Sequence, residues 1–251
     1  MVTAAALPAA VTRRLDPEGR FGLRVTLLAV ALMLVGVPFG LLLAQVTHNG
    51  PLVRIDTAAA NHLHGWVLAH PDVESAFRVI SFLASPPWFY LLIGSAAAFW
   101  WFRGAHRRLA VYLLVTGLVG GLVDTVVKVA VNRDRPSLQK PIATAHGQSF
   151  PSGHTMLATY GYGALLLTFL PLLPRRARRP AIAGWLVVVA TVAFARLGLG
   201  VHYISDVLGG FVLGLAWLIG TTAAFSIWRV ERGRRPVHAT EGLEPEVASV
   251  E

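Results

Sequence analysis

The chain has 251 residues, 55% of them hydrophobic and only 14% charged, with a formal net charge of +9 and a mean hydropathy of +0.59. That balance is too apolar for an ordinary soluble domain, and the length is too short for two large ones, which leaves an integral membrane protein of one domain. The absence of cysteine excludes a disulfide framework, a thiolate zinc site and a cysteine nucleophile.

About twenty apolar residues, rising roughly 1.5 Å each, cover the ~30 Å core of a bilayer. Six stretches qualify, near residues 22–46, 86–103, 108–131, 152–173, 181–200 and 206–228. The expected fold is therefore all-α: a polytopic membrane protein with six transmembrane helices, preceded by a cytoplasmic segment over residues 1–21 and followed by a cytoplasmic tail over 231–251. The first stretch exceeds the roughly 7–15 residues of a secretory signal core and is read as a retained span. Arg13-Arg14 lies in a context with little else to support a twin-arginine signal. Residues 47–85 mix apolar groups with His48, His62, His64, His70 and Asp72, a pattern that fits short amphipathic helices along the outer interface. His62 and His64 are two residues apart, which puts them on opposite sides of a helix and argues against a metal pair. Gly117, Gly120, Gly121, Gly209, Gly210 and Gly214 read as close helix contacts within the bundle. The tail has no apolar period and ends in acidic residues, so it is expected to be disordered.

Lys and Arg are distributed unevenly between the two sides that six spans define. Fifteen fall on the side of the termini, in the groups Arg13 to Arg24, Arg103 to Arg108, Arg175 to Arg179 and Arg229 to Arg235, against seven on the other side. The positive-inside rule places the termini in the cytoplasm and the opposite end outside. The net positive charge is thereby read as a membrane anchor, with no nucleic-acid partner.

Three blocks lie toward that outer end: Lys-x6-Arg-Pro (Lys128, Arg135, Pro136), Pro-Ser-Gly-His (Pro151 to His154) and Arg-x5-His-x3-Asp (Arg196, His202, Asp206). A cation at the edge of a span costs about 3 kcal/mol on insertion scales and calls for a partner or a task. Asp124, four residues before Lys128, is on the same helix face and can neutralise it, so mutual charge compensation stands beside a functional reading. Lys128, Arg135 and Arg196 together make a cage for a multiply charged anion, and guanidinium forks suit phosphate. Pro151-Ser152-Gly153-His154 starts the fourth span. Proline suits a first helical turn, glycine admits a close ligand, and the free amides of Ser152, Gly153 and His154 face the positive end of the helix dipole. Asp206, four residues after His202, can hold one ring nitrogen protonated and leave the other lone pair free, which is how a histidine nucleophile is oriented. His154 can give a proton to a departing oxygen and later take one from water.

These residues resemble the three-part signature of the type 2 phosphatidic acid phosphatase superfamily, six-span membrane enzymes, over residues 20–230. The resemblance implies that Lys128, Arg135, Ser152, Gly153 and Arg196 bind the phosphoryl group, that His202 attacks phosphorus with support from Asp206, and that His154 is the general acid. It implies no metal and no cofactor. Ala195 stands where family members often carry serine, which puts one hydroxyl contact in doubt. The expected activity is removal of a terminal phosphate from a lipid in the bilayer at the outer face of a bacterial cytoplasmic membrane. Polyprenyl pyrophosphates such as undecaprenyl pyrophosphate lead, with phosphatidylglycerol phosphate and phosphatidic acid next. The alternatives are phosphotransfer from the same phosphohistidine to an alcohol acceptor, and lipid binding or transport without chemistry.

Overall fold

The computed structural model describes residues 23–48, 50–104, 106–138, 142–235, 237 and 239–249. The expected cytoplasmic segment 1–21 lies outside them, as does Lys140, one of the seven basic residues assigned to the outer side. Every regular element among the described residues is helical. In chain order these are α1 (Leu23–Thr47), α2 (Pro51–Leu68), α3 (Pro71–Leu83), α4 (Pro86–Phe102), α5 (Arg107–Val131), α6 (Gly153–Phe169), α7 (Arg175–Gly198) and α8 (Ile204–Glu231). Short 3₁₀ turns cover Leu170–Leu172, Ala239–Glu241 and Pro245–Ser249.

Four of these segments are long and apolar enough to cross a membrane: Arg107–Val131, Gly153–Leu172, Arg175–Gly198 and Ile204–Val230. The pair α3 and α4, bent by 43° at its break, would make a fifth if it counts as one span. In α1 the described apolar stretch is the shorter Gly36–Thr47. The connection between the first two expected spans is helical, as α2 and α3. Prolines at the first turns of α2, α3 and α4 punctuate this region, because proline is tolerated at a helix start and interrupts a helix elsewhere.

The central helix is α6. Its spanning window is 67% buried, against 28–33% for the other three, and it packs on α4, α5, α7 and α8. Small residues make that position possible. A Cβ on Gly210 of α8 would lie 2.5 Å from the Ser152 carbonyl, and one on Gly214 would lie 2.9 Å from the Met156 carbonyl. Gly120 of α5 leaves room for Tyr160 and Trp217 in the same way. The core around α6 contains Phe89, Trp100, Tyr112, Met156 and Tyr160, and Phe89 meets Tyr160 edge to face at 5.7 Å.

Because α5 to α8 alternate in direction, the start of α5, the α6–α7 turn and the end of α8 share one end of the bundle. Arg107 lies 5.3 Å from the Trp101 ring centroid and Arg108 lies 4.4 Å from that of Trp228, an aromatic and basic girdle of the kind found at membrane interfaces. The three motifs occupy the opposite end.

The tail departs from the sequence expectation over residues 239–249, which pack instead of standing free. Leu243 and Val247 are buried in the α6 core, and the Leu243 amide donates to the Leu167 carbonyl at 3.2 Å. Glu244 reaches His106 at 3.2 Å and Arg108 at 3.5 Å, while Glu246 pairs with Arg229. The reason is electrostatic: Arg229 is 1% exposed, and a buried cation requires a partner. Two apolar residues four apart then suffice to seat the segment.

Replacing Gly210 with Ala would force a methyl group against the Ser152 carbonyl. Overpacking of this kind costs about 1–3 kcal/mol, so the variant is expected to unfold at a lower temperature than wild type in detergent. An unchanged midpoint would show that the α6–α8 contact relaxes freely.

Candidate active site

The site forms where α5 ends and where α6 and α8 begin. Helix α5 stops because Asn132 takes the left-handed conformation (φ 49°), its amide donating to the Lys128 carbonyl at 2.9 Å; asparagine tolerates that region better than most residues. The chain then runs back through Arg133 and Arg135. It is pinned to the strap before α6 by the Ser149 amide donating to the Arg133 carbonyl at 2.8 Å and the Ser149 hydroxyl to the Asp134 carbonyl at 2.9 Å.

Arg135 is held by four carbonyl oxygens, those of Gly147, Val201, His146 and Gln148, at 2.8–3.2 Å. This grip leaves its Nη1 3.3 Å from His202 Nε2. A guanidinium can only donate, so Nε2 must be the acceptor, and the proton of the neutral ring then sits on Nδ1. Nδ1 faces Asp206 Oδ2 at 3.4 Å, long for a hydrogen bond and of the kind that tightens when substrate binds. The lone pair on Nε2 thus points to the same space as Arg135.

The contact between His202 and Asp206 comes from a different local geometry than the spacing suggests. Helix α8 begins at Ile204, so His202 lies before it rather than one turn along it. Asp206, the third helical residue, reaches back: its Oδ2 accepts from the Tyr203 amide at 2.8 Å, as an acidic residue does in a capping box. Burial is the main cause of a His202 pKa lowered to about 4, partly opposed by its bond to Asp206 and reinforced by the Arg196 charge.

Pro-Ser-Gly-His also differs in detail. Helix α6 starts at Gly153 with Ser152 as its N-cap, so Pro151 precedes the helix instead of occupying its first turn. The Ser152 amide is not free for a ligand, since it donates to the Asp206 carbonyl at 2.9 Å, and its hydroxyl, fully buried, accepts from Thr155 at 3.1 Å. Ser152 therefore ties the start of α6 to α8. The amides of Gly153 and His154, at the first two helical positions, have no acceptor within the helix. A Cβ on Gly153 would lie 2.8 Å from Asp124 Oδ2 and 3.0 Å from Lys128 Nζ, so a larger residue would push the ends of those two side chains aside.

For Lys128 the charge compensation expected from its spacing is present. It pairs with Asp124 at 2.5 Å and also lies against the start of α6. Arg196 is 7% exposed and donates through Nη1 to the Ser81 hydroxyl of α3 at 2.6 Å, while its buried Nε has no acceptor among the described residues. His154 lies within electrostatic reach of Arg196, His202, Lys128 and Arg135 together. The structure thus gathers Lys128, Arg135, Gly153, His154, Arg196, His202 and Asp206 around one centre, with Ser152 bracing it from behind.

Four contributors escape the motif reading: Asp56 on α2, Ser81 on α3, Arg133 and Ser205. Asp56 is fully buried. It accepts from the Ser205 amide at 3.0 Å, from the Ser205 hydroxyl, and from Arg133 Nη2 at 2.9 Å. Arg133 Nη1 continues to Asp206 Oδ1 at 2.5 Å. The available signals were a lone acid in an otherwise uncharged stretch after Arg54, and a second arginine two residues before the one the motif uses.

The chain has relatives among known proteins. The PAP2 superfamily matches residues 107–229, which contain all three motifs. Phosphatidylglycerophosphatase B of Bacillus subtilis is 31% identical over 182 residues, covering 70% of this chain and 86% of that one. Undecaprenyl-diphosphatase BcrC of the same organism is 29% identical over 125 residues, covering 47% and 59%. Lipid A 1-phosphatase of Rhizobium etli is 34% identical over 122 residues, covering 45% and 48%. Among solved structures, the transmembrane PAP2-type phosphatidylglycerolphosphate phosphatase of Bacillus subtilis superposes with a TM-score of 0.70 at 26% identity, covering 80% of this chain and 96% of that one.

With its pKa lowered to about 4, His202 is neutral at any higher pH. As pH falls through that value the ring takes a proton and the lone pair is lost. With the ionisation of the substrate phosphate corrected for, the acid limb of kcat/KM is expected near pH 4 and not at the ordinary histidine value of about 6.5. A limb at 6.5 in a pH–rate profile would mean that His202 is solvated in the working enzyme.

Proposed function

The chain belongs to the PAP2 superfamily, and from that premise we propose that it is a six-span membrane phosphatase which removes the terminal phosphate of a lipid phosphate or diphosphate at the extracytoplasmic face. The observation that carries the reading is the 3.3 Å approach of Arg135 Nη1 to His202 Nε2, which sets a phosphate-binding cation beside the lone pair that would attack. Phosphate oxygens take the donors of Lys128 and Arg196, the amides of Gly153 and His154, and the one Arg135 N–H not held by a carbonyl, which turns from His202 Nε2 to the phosphate and frees the lone pair. The buried, unpartnered Nε of Arg196 supports this, because an unsatisfied buried donor costs about 1–3 kcal/mol until an acceptor arrives.

In the first step His202 Nε2 forms a bond to phosphorus as the bond to the leaving oxygen breaks, and His154 donates the proton that the departing alcohol or phosphate needs. The ring becomes positively charged, and Asp206 opposite Nδ1 stabilises it. In the second step water attacks phosphorus, His154 accepts its proton, and the phosphorus–nitrogen bond breaks to release inorganic phosphate and neutral His202. The cage stabilises charge that builds on the equatorial oxygens in both steps.

Substrate choice follows chemistry common to the relatives: a terminal phosphate on a lipid anchor. Phosphatidylglycerol phosphate and polyprenyl diphosphate are the leading candidates, with phosphatidic acid next. The test is phosphate release from these three lipids in detergent with excess chelator, by wild type and His202→Ala. Wild type is expected to release phosphate and rank the lipids, with the variant at least about a thousandfold slower, as for loss of a nucleophile. Comparable release by the variant would remove His202 from the chemistry.

Orientation has its own test, made clean by the absence of cysteine. Thr144 is exposed in the loop beside the site, and Thr144→Cys is expected to react with a membrane-impermeant maleimide on intact cells. Reaction only after lysis would place the site in the cytoplasm.

A further inference from the structure

We propose that Asp56 and Arg133 are a positioning pair that sets the Asp206 carboxylate, and through it the His202 ring, for attack on phosphorus. Neither residue falls on a motif position, and neither is placed to touch the phosphoryl group. Each of Asp206's two oxygens has a separate duty. Oδ1 accepts from Arg133 Nη1 at 2.5 Å, and Oδ2 accepts from the Tyr203 amide at 2.8 Å and faces His202 Nδ1 at 3.4 Å. Rotation of the carboxylate would break one bond or the other, so Arg133 determines which oxygen the imidazole sees.

Arg133 is in turn fixed on three sides. Its Nη2 donates to Asp56 Oδ2 at 2.9 Å, its Nη1 also donates to the Ser205 hydroxyl at 2.7 Å, and its guanidinium lies 4.2 Å from the Tyr203 ring centroid. Asp56 closes the circuit by accepting from the Ser205 amide at 3.0 Å. Asp56, Asp206 and Ser205 are all fully buried, so these bonds act with little screening by water. The set therefore joins α2, the α5–α6 strap and the first turn of α8.

Formal charge gives the pair a second role. Two carboxylates and one guanidinium sum to a single negative charge, which complements the positive charge His202 acquires when it bonds to phosphorus. Neutralising Asp56 alone would leave Asp206 fully compensated by Arg133 and a poorer partner for that cation. Lysine at 133 would keep the charge but not the planar fork that spans both carboxylates and the hydroxyl.

This inference rests on His202 as the nucleophile, and the experiment separates the two. Wild type, His202→Ala, Asp56→Asn, Arg133→Lys and the charge-balanced double variant Asp56→Asn/Arg133→Gln are compared in detergent. A short prenyl diphosphate and phosphatidylglycerol phosphate are the probes, with kcat, KM and the unfolding midpoint measured for each. The pair predicts a kcat lower by about ten- to a hundredfold, the range for partners that orient a functional group from outside, with KM unchanged. The double variant keeps the net charge of the set but leaves Asp206 without a cation, whereas Asp56→Asn and Arg133→Lys each keep a cation beside Asp206 and are expected to stay folded and remain slow. Wild-type kcat in the folded single variants, or a loss confined to KM or to the yield of folded protein, would reduce the pair to a structural role and overturn the inference. Equal rates for His202→Ala and wild type would overturn the nucleophile assignment and the inference together.

Discussion

A carboxylate taken out of water must have both its oxygens occupied, and Asp206 is the place where this protein meets that requirement. The group is fully buried, and removing one partner from a buried ionic cluster costs about 3–5 kcal/mol. Its partners are consequently recruited from far apart in the chain: Arg133 from the strap after α5, Tyr203 and His202 from the turn before α8, and Asp56 at one remove from α2. Its backbone carbonyl meanwhile accepts from Ser152 at the start of α6. Satisfying one charge therefore brings together the ends of the elements that carry the chemistry.

The helices supply the rigidity that this arrangement needs. Glycines at 210 and 214 let α8 approach the backbone of α6, and Gly153 opens the space into which Lys128 and Asp124 fit. The Arg135 guanidinium is held by carbonyls from two different loops and cannot swing away from His202. A site of this kind is organised before substrate arrives, which is where electrostatic stabilisation of a transition state is most effective. At the other end of the bundle Arg229 and Arg108 recruit the acidic tail by the same logic of compensation.

Much of this was legible in the sequence, because most of the residues that the fold gathers at the candidate site are contained in three short blocks whose spacing reflects local geometry. The glycine clusters likewise announced close packing. What the chain did not disclose were contacts made across large separations. Asp56 has no local partner, and its importance arises only when Ser205 and Arg133 fold onto it. His202 and Asp206 show the opposite case, where the spacing named the right partners through the wrong geometry, since the contact is a helix cap reaching back. Ser152 was read as an amide donor to phosphate, but the carbonyl of Asp206 competes for that amide and wins. Hydropathy counted six stretches, whereas four described helices stand alone as long, apolar segments and α3 with α4 makes a bent pair. Proline at the start of each short helix produces that break. The tail lacked an apolar period, yet Leu243 and Val247 were enough once Glu244 and Glu246 had cations to meet.

The central claim is that His202 carries the phosphoryl group between the two steps, and acid-free quenching tests it most directly. His154→Ala would be mixed with a radiolabelled lipid diphosphate, whose good leaving group needs little help from an acid, and quenched in base within the first turnover. Label bound to the protein, stable in base, lost in acid and absent from the His154→Ala/His202→Ala double variant is the predicted result. Label that persists when His202 is removed, or release of phosphate with no labelled protein at any time, would contradict the account.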